Sequence, residues 1–199
     1  MSLLEVKDLR SGYGSLQVLQ GISFSIEEGE TAVLLGLNGA GKTTTILSLA
    51  GLLKPWEGSV SFDGADVTGH DTRKLVSQGV VLVPEGRRIF PQLTVAQNLR
   101  LGAWPYRKDR KRTREIVEQS VEYFPRLRER WTQLGGTLSG GEQQMLTLCR
   151  TLLGNPELIM IDEPTEGLAP KIVELVGRYL QELKSRGISV LLIEQKLAI

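Results

Sequence analysis

The 199-residue sequence has one cysteine, one histidine, only 6% aromatic residues and no excess of either charge sign. A single thiol, Cys149, cannot close an internal disulfide, and this usage fits a reducing cytosol best. Cys149 sits among leucines and reads as a packed small side chain. His70, in the polar stretch 68–72, has no second ligand near it in sequence and reads as a surface residue. Lys and Arg number 24 against 23 Asp and Glu, a net charge of +1. That balance excludes both a disordered acidic chain and a histone-like basic one. No apolar run approaches the roughly 20 residues of a membrane-spanning helix. The start shows no basic region followed by a long apolar one, so no secretory signal is expected. Glycine is in surplus, with 22 residues, and these cluster.

The length suits one domain, enough to bury roughly 70% of the unfolded surface. Within residues 3–35, Val6, Leu9, Ile22, Phe24 and Ile26 partly alternate with polar residues, and turn signals stand at 12–14 and 28–29, so strands are expected. The apolar stretch 32–35 stops at a glycine-rich loop, after which Ile46, Leu47, Ala50 and Leu53 fall at helical spacing before Lys54-Pro55. Residues 59–62 and 79–83 read as strands, and the pattern from about 90 to 154 is helical. The continuous apolar runs 80–83, 158–161 and 189–193 suit strands covered on both faces of a parallel sheet. The amphipathic stretch 171–185 joins the last two into a strand–helix–strand unit. The expected fold is α/β, with residues 1–89 and 155–199 as the core and 90–154 as a helical insertion.

Gly36-Leu37-Asn38-Gly39-Ala40-Gly41-Lys42-Thr43 matches G-x-x-x-x-G-K-[ST], between a buried strand and an amphipathic helix. Glycines let backbone N–H groups turn inward onto phosphate oxygens. The helix start adds its positive end. Lys42 supplies a mobile ammonium for the outer phosphates, and the Thr43 hydroxyl can ligate Mg²⁺. The run 158–161 leads directly into Asp162-Glu163, and ligands in parallel sheets sit beyond the carboxyl ends of strands. Asp162 is therefore expected to hold Mg²⁺ through its water shell, and Glu163 to orient and deprotonate an attacking water. In Leu138-Ser139-Gly140-Gly141-Glu142-Gln143-Gln144, Ser139 and Glu142 form a capping box. The two glycines, each costing about 1 kcal/mol against alanine in a helix, call for something approaching the backbone closely, and a helix start attracts anions.

Taken together, these three stretches resemble the Walker A, signature and Walker B motifs of ATP-binding-cassette (ABC) ATPases, over nearly the whole chain. The resemblance implies a P-loop NTPase core with an N-terminal antiparallel β portion and a helical subdomain. It also implies ATP and Mg²⁺ as ligands, with Thr44 joining the cradle residues around the nucleotide and Tyr13 stacking on adenine. Each ATP would lie between one subunit's cradle and the signature of a second ATPase subunit, so Ser139, Gly140 and Gly141 would serve the partner's nucleotide. Transmembrane permease subunits would complete the assembly at the cytoplasmic face of the inner membrane, received around residues 85–93 and the helical insertion, with no nucleic acid expected. Residues 83–91, Leu93-Thr94-Val95, Gly167-Leu168-Ala169-Pro170 and Glu194-Gln195 are similar to the ATPase subunit of branched-chain amino-acid importers that pairs with a second ATPase; amide and urea importers are similar too.

Against that family, Glu85 stands where Gln is usual, at a residue that senses Mg²⁺, and its extra charge would make the site more Mg²⁺-dependent. Gln195 replaces the switch histidine; it can donate a hydrogen bond but has no titratable proton. The aspartate usual after Walker B is replaced near Ala169. These changes keep an ATP-gated module with weak hydrolysis as an alternative. A DNA-handling cassette ATPase is disfavoured, because the stretch from Lys42 to Ser139 is too short for a long coiled-coil arm. Two further expectations follow. Strand 189–193 should be poorly covered if a sheet edge is missing. The basic run 107–114 should be a solvated face or, alternatively, meet an anionic partner such as nucleic acid or lipid headgroups, although no aromatic ladder interleaves it.

Overall fold

The computed structural model describes residues 2–86 and 88–195, and these fall into two compact units. The first takes residues 2–82, 157–163 and 180–195; the second takes 83–86, 88–156 and 164–179.

In the first unit, β1 (Ser2–Tyr13) and β2 (Leu16–Glu27) form an antiparallel hairpin across a two-residue turn. β4 (Glu57–Phe62) pairs with the other side of β1, and the short β5 (Ala65–Asp66) closes the order β2-β1-β4-β5. A second sheet has the order β3-β8-β7-β6, from β3 (Thr31–Leu35), β6 (Val80–Val83), β7 (Leu158–Asp162) and β8 (Ser189–Glu194). β8 runs parallel to both β3 and β7, as the continuous apolar runs require. Leu4, Val6, Leu9 and Ile26 of the first sheet share one core with Ile46 of α1 (Lys42–Leu49) and with Leu158, Met160, Leu191 and Ile193 of the second.

Two expectations need correction. β8 is the inner strand and buried throughout, because β3 and β7 flank it. Exposure falls instead on the edge strand β3, where Val33 is 41% and Leu35 48% exposed. His70 is half-buried rather than a plain surface residue: α2 (Thr72–Ser77), capped by Asp71, places Lys74 so that its ammonium donates to His70 Nε2 at 2.9 Å. The chain around residue 70 is polar enough to hide this short helix from a periodicity reading.

The second unit is built of helices, as the pattern from 90 to 154 predicts. α3 (Val95–Gly102) starts with a Thr94–Gln97 capping box, α4 (Arg110–Val121) with an Asp109 cap, and α5 (Pro125–Glu129) with proline in its first turn. α6 (Gly140–Leu152) follows, and α7 (Pro170–Ser185) begins here and ends in the first unit. Leu99, Val117, Leu127, Leu146 and Leu148 are buried together with Phe124, whose ring meets that of Tyr179 at 5.5 Å. The Tyr179 hydroxyl donates to Leu148 O at 3.1 Å, and burial holds its proton well above the ordinary phenol range. Cys149 is packed as expected, its thiol on Ser120 O at 3.1 Å; burial pushes its pKa up to about 12, so it carries no thiolate chemistry.

Candidate active site

Because β3, β8 and β7 are parallel and adjacent, their carboxyl ends open onto one rim of the sheet. The loop after β3 and the two carboxylates after β7 therefore converge there, although 119 residues separate Thr43 from Asp162. The loop turns through Gly39 (φ 81°) and Gly41 (φ 94°). Gly41 is the N-cap of α1 and offers no side-chain cap, so the first amides of the helix are left to whatever anion lies in front of them. Only glycine serves at 41: beyond its left-handed φ, an added Cβ would lie 2.9 Å from Leu19 Cδ2 of β2.

Lys42 is 6% exposed, and its ammonium donates to Gly36 O at 2.7 Å and Leu37 O at 3.2 Å. Glu163 Oε1 lies 3.4 Å from the same nitrogen. The other oxygen of Glu163 accepts from Gln195 Nε2 at 3.0 Å, so its carboxylate is gripped from both sides. Glu163 itself sits at φ 45°, an uncommon backbone state for a non-glycine residue, with its N–H on Ile193 O at 3.0 Å. That kink turns the chain out of β7 and sends the side chain back toward the loop. Thr43 Oγ1 donates to Asp162 Oδ2 at 3.2 Å, and Asp162 is buried. A hydroxyl and one carboxylate are the sparse oxygen set that Mg²⁺ uses when substrate phosphates and water complete its shell, so the residues present fit that ion. Thr44 is buried on α1, Ala40 N donates to Leu37 O at 3.2 Å, and Asn38 is exposed in the turn. Tyr13 stands 49% exposed at the end of β1, in the hairpin whose second strand supports Gly41.

The remaining candidates lie in the second unit. Ser139 caps α6: its backbone N–H and hydroxyl donate to Glu142 Oε2 at 2.9 and 2.8 Å, and Glu142 N donates back to its hydroxyl at 3.3 Å. Burial alone would raise the Glu142 pKa, but these bonds and Arg130, 3.2 Å away, outweigh it and hold the carboxyl below its ordinary value. Gly141 has a reason inside the chain: an added Cβ would meet Ile172 of α7 at 2.8 Å. The expectation that an outside group must approach that glycine is therefore not needed for position 141. Glu85 is exposed in the loop after β6. Two residues of this loop's support escaped the sequence reading. Asn98, fully buried, accepts from Phe90 N at 2.9 Å and donates to Phe90 O, Leu93 O and Thr94 O. Arg150 donates to Arg88 O at 2.7 Å and lies over the Phe90 ring. An asparagine inside a helix, where its propensity is poor, is the signal that could have exposed Asn98.

A two-sheet α/β core with a P-loop and paired carboxylates at the ends of parallel strands defines a nucleotide triphosphatase. The ABC transporter family model matches residues 19–166, and the chain belongs to that family. It is 38% identical over 97% of its length to the high-affinity branched-chain amino acid transport ATP-binding protein BraG of Pseudomonas aeruginosa, covering 82% of that protein. It is 34% identical over 96% of its length to the lipopolysaccharide export system ATP-binding protein LptB of Haemophilus influenzae, covering 80% of it. Among solved structures, MJ1267, an ATP-binding cassette of an ABC transporter, superposes with a TM-score of 0.91 at 30% identity, over 100% of this chain and 83% of that one. The cassette MJ0796 in a dimeric post-hydrolysis state with ADP and Pi superposes at 0.81 and 27% identity, over 98% of this chain and 88% of that one. The chain is thus an ATPase of a family whose cassettes dimerise and work with membrane permeases. Among the described residues no helix is long and apolar enough to cross a membrane.

Proposed function

We propose that this chain is the ATP-hydrolysing subunit of an importer for branched-chain amino acids, paired with a second ATPase subunit and docked on permease subunits at the cytoplasmic face of the membrane. The observation that carries the hydrolytic part is the Lys42–Glu163–Gln195 arrangement at the rim of the parallel sheet. Lys42 is within reach of the cradle carbonyls and of Glu163, so its ammonium moves onto the outer phosphates of ATP when the loop amides enclose them. Glu163, released from that cation and still oriented by Gln195, accepts the proton of the attacking water. Thr43 and Asp162, 3.2 Å apart, would hold Mg²⁺, which would neutralise charge on the phosphates, and Glu85 would sharpen the dependence on it. Tyr13 stacks on the adenine, and Ser139, Gly140 and Gly141 serve the nucleotide held by the partner subunit. The solute assignment is supported by the likeness to BraG and to the LivG protein of Methanocaldococcus jannaschii, 31% identical over the whole chain. Amide or urea import remains the neighbouring reading.

The test is ATP turnover and labelled leucine uptake by the reconstituted assembly. Glu163→Gln should lower kcat by about 10²–10⁴-fold while ATP still binds. Turnover insensitive to that change would remove Glu163 from the chemistry. The second reading, an ATP-gated module with weak hydrolysis, is favoured by Gln195 in place of a titratable residue; it would show ATP-dependent pairing with negligible turnover even in the full assembly. Turnover without uptake of leucine would overturn the solute assignment, and LptB shows that the family also serves export.

A further inference from the structure

α6 begins at the glycines of the signature-like stretch, and α7 packs against that start. Ile172 stands in the first turn of α7, where its N–H and that of Val173 both donate to Ala169 O, at 2.8 and 3.2 Å, with Pro170 just before. Its side chain lies on the bare backbone of Gly141: an added Cβ there would come within 2.8 Å of Ile172 Cγ1, 3.0 Å of Cδ1 and 3.4 Å of Cγ2. A β-branched side chain in a helix has one strongly preferred χ1 rotamer, so these carbons do not swing aside. Gly141 has ordinary helical backbone, so close approach rather than a left-handed turn demands the glycine. A second contact follows seven residues further along both helices: the Tyr179 hydroxyl donates to Leu148 O at 3.1 Å and lies 3.1 Å from Thr151 Oγ1. Equal steps of about 10 Å, at 1.5 Å per residue, set α6 and α7 side by side, running the same way and in register.

We infer that Ile172 is a positioning residue for the nucleotide held by the partner subunit: seated on Gly141, it sets where the Ser139 hydroxyl and the first amides of α6 stand. The inference rests on the reading that this stretch serves the partner's nucleotide. The Ser139–Glu142 capping box and the Arg130 side chain fix the first turn of α6 within itself and toward Arg130, but not its place against α7. Ile172 supplies that reference, and Tyr179 holds the same register two turns further on. Amide hydrogen bonds to an anion work over about 2.7–3.2 Å. A helix start displaced by about 1 Å therefore no longer meets the phosphate it faces. On this account the part played by Gly141 is to admit Ile172 from behind rather than phosphate from in front. Ile172 also follows Glu163 by nine residues in sequence, so the segment leaving this subunit's own carboxylates runs into the helix that supports its partner-facing end.

The test is a double-mutant cycle on the full chain in the Glu163→Gln background, read by analytical ultracentrifugation as the protein concentration at which ATP and Mg²⁺ drive pairing. Gly141→Ala should weaken pairing about tenfold, because the new methyl meets Ile172. Ile172→Ala should weaken it by about the same factor, since the helix start loses its reference. The two changes together should pair within about threefold of the parent, better than either alone, because the methyl then occupies space the isoleucine has left. Ile172→Val, which keeps both γ carbons, should match the parent. Binding of a fluorescent ATP analogue, at protein concentrations too dilute for pairing, should be the same in all of them. A double variant as weak as Gly141→Ala overturns the inference and gives the glycine to the phosphate itself. So does Ile172→Ala pairing like the parent, or a loss of pairing matched by an equal loss of analogue binding, which marks damage to the fold. A parent that does not pair with ATP removes the reading beneath the inference, and the inference with it.

Discussion

Lys42 and Glu163 share one buried contact, so neither can be altered without exposing the other. Removing the ammonium in Lys42→Ala leaves a carboxylate that is 10% exposed without its cation, a change that costs about 3 kcal/mol in comparable buried pairs, besides the loss of phosphate affinity. Gln195 reaches the far oxygen of Glu163 at 3.0 Å and acts on the chemistry through it, as a positioning residue. Its amide has no titratable proton, so the pH–rate profile of the wild-type ATPase should show no limb near the ordinary histidine pKa of about 6.5. Gln195→His should introduce that limb, and Gln195→Ala should lower kcat about tenfold with KM for ATP little changed. Steady-state kinetics across pH separates these outcomes; a wild-type limb near that pH that persists in Gln195→Ala would place the titrating group elsewhere.

The N-terminus of α6 joins the signature-like stretch to the stability of its own helix. Because the folded pKa of Glu142 is depressed, its contribution is present above the ordinary glutamate value of 4.5 and is lost as pH falls through the folded value. Urea unfolding at stepped pH should therefore show wild type losing an increment on acidification that Glu142→Gln, which keeps the cap but not the charge, does not lose. Ser139→Ala should cost about 1 kcal/mol at neutral pH. The loop after β6 depends on α3 in the same way. Asn98→Ala leaves Phe90 N–H without its partner, while Phe90 O and Leu93 O keep the backbone amides of Leu93 and Gly135, and about 1–3 kcal/mol of destabilisation is expected for the one group left unpaired. At this scale the strands and long helices were legible because their apolar periodicity survives in the sequence. α2 and the Asn98 hub were not. A short capped turn and a multi-bond side chain owe their existence to partners supplied by distant backbone rather than to any local pattern.

For the whole molecule, ATP binding and folding are linked through the rim of the parallel sheet, because only the folded chain brings the loop after β3 to the end of β7. ATP at about a hundredfold excess over its Kd should add about 2.7 kcal/mol of stability and raise Tm by roughly 5–11 °C. Thermal scans of wild type and Lys42→Ala check this, and an equal shift in both would mean ATP binds outside the cradle. The Glu163→Gln variant, loaded with ATP, should elute from size exclusion at the position of a paired cassette, as in the dimeric MJ0796 structure. The sequence by itself determined the class of chemistry: the order of glycines, Lys42 and Thr43 after an apolar run, and Asp162-Glu163 after another, carries the phosphate cradle and its carboxylates, because backbone turning and side-chain charge are local properties. Only the tertiary structure decided which strand is the edge, that Gly141 is required by Ile172, that Gln195 grips Glu163, and that the cations of the run 107–114 stay exposed. Each of these depends on which distant surfaces the packing of the core presses together, and no spacing along the chain records that.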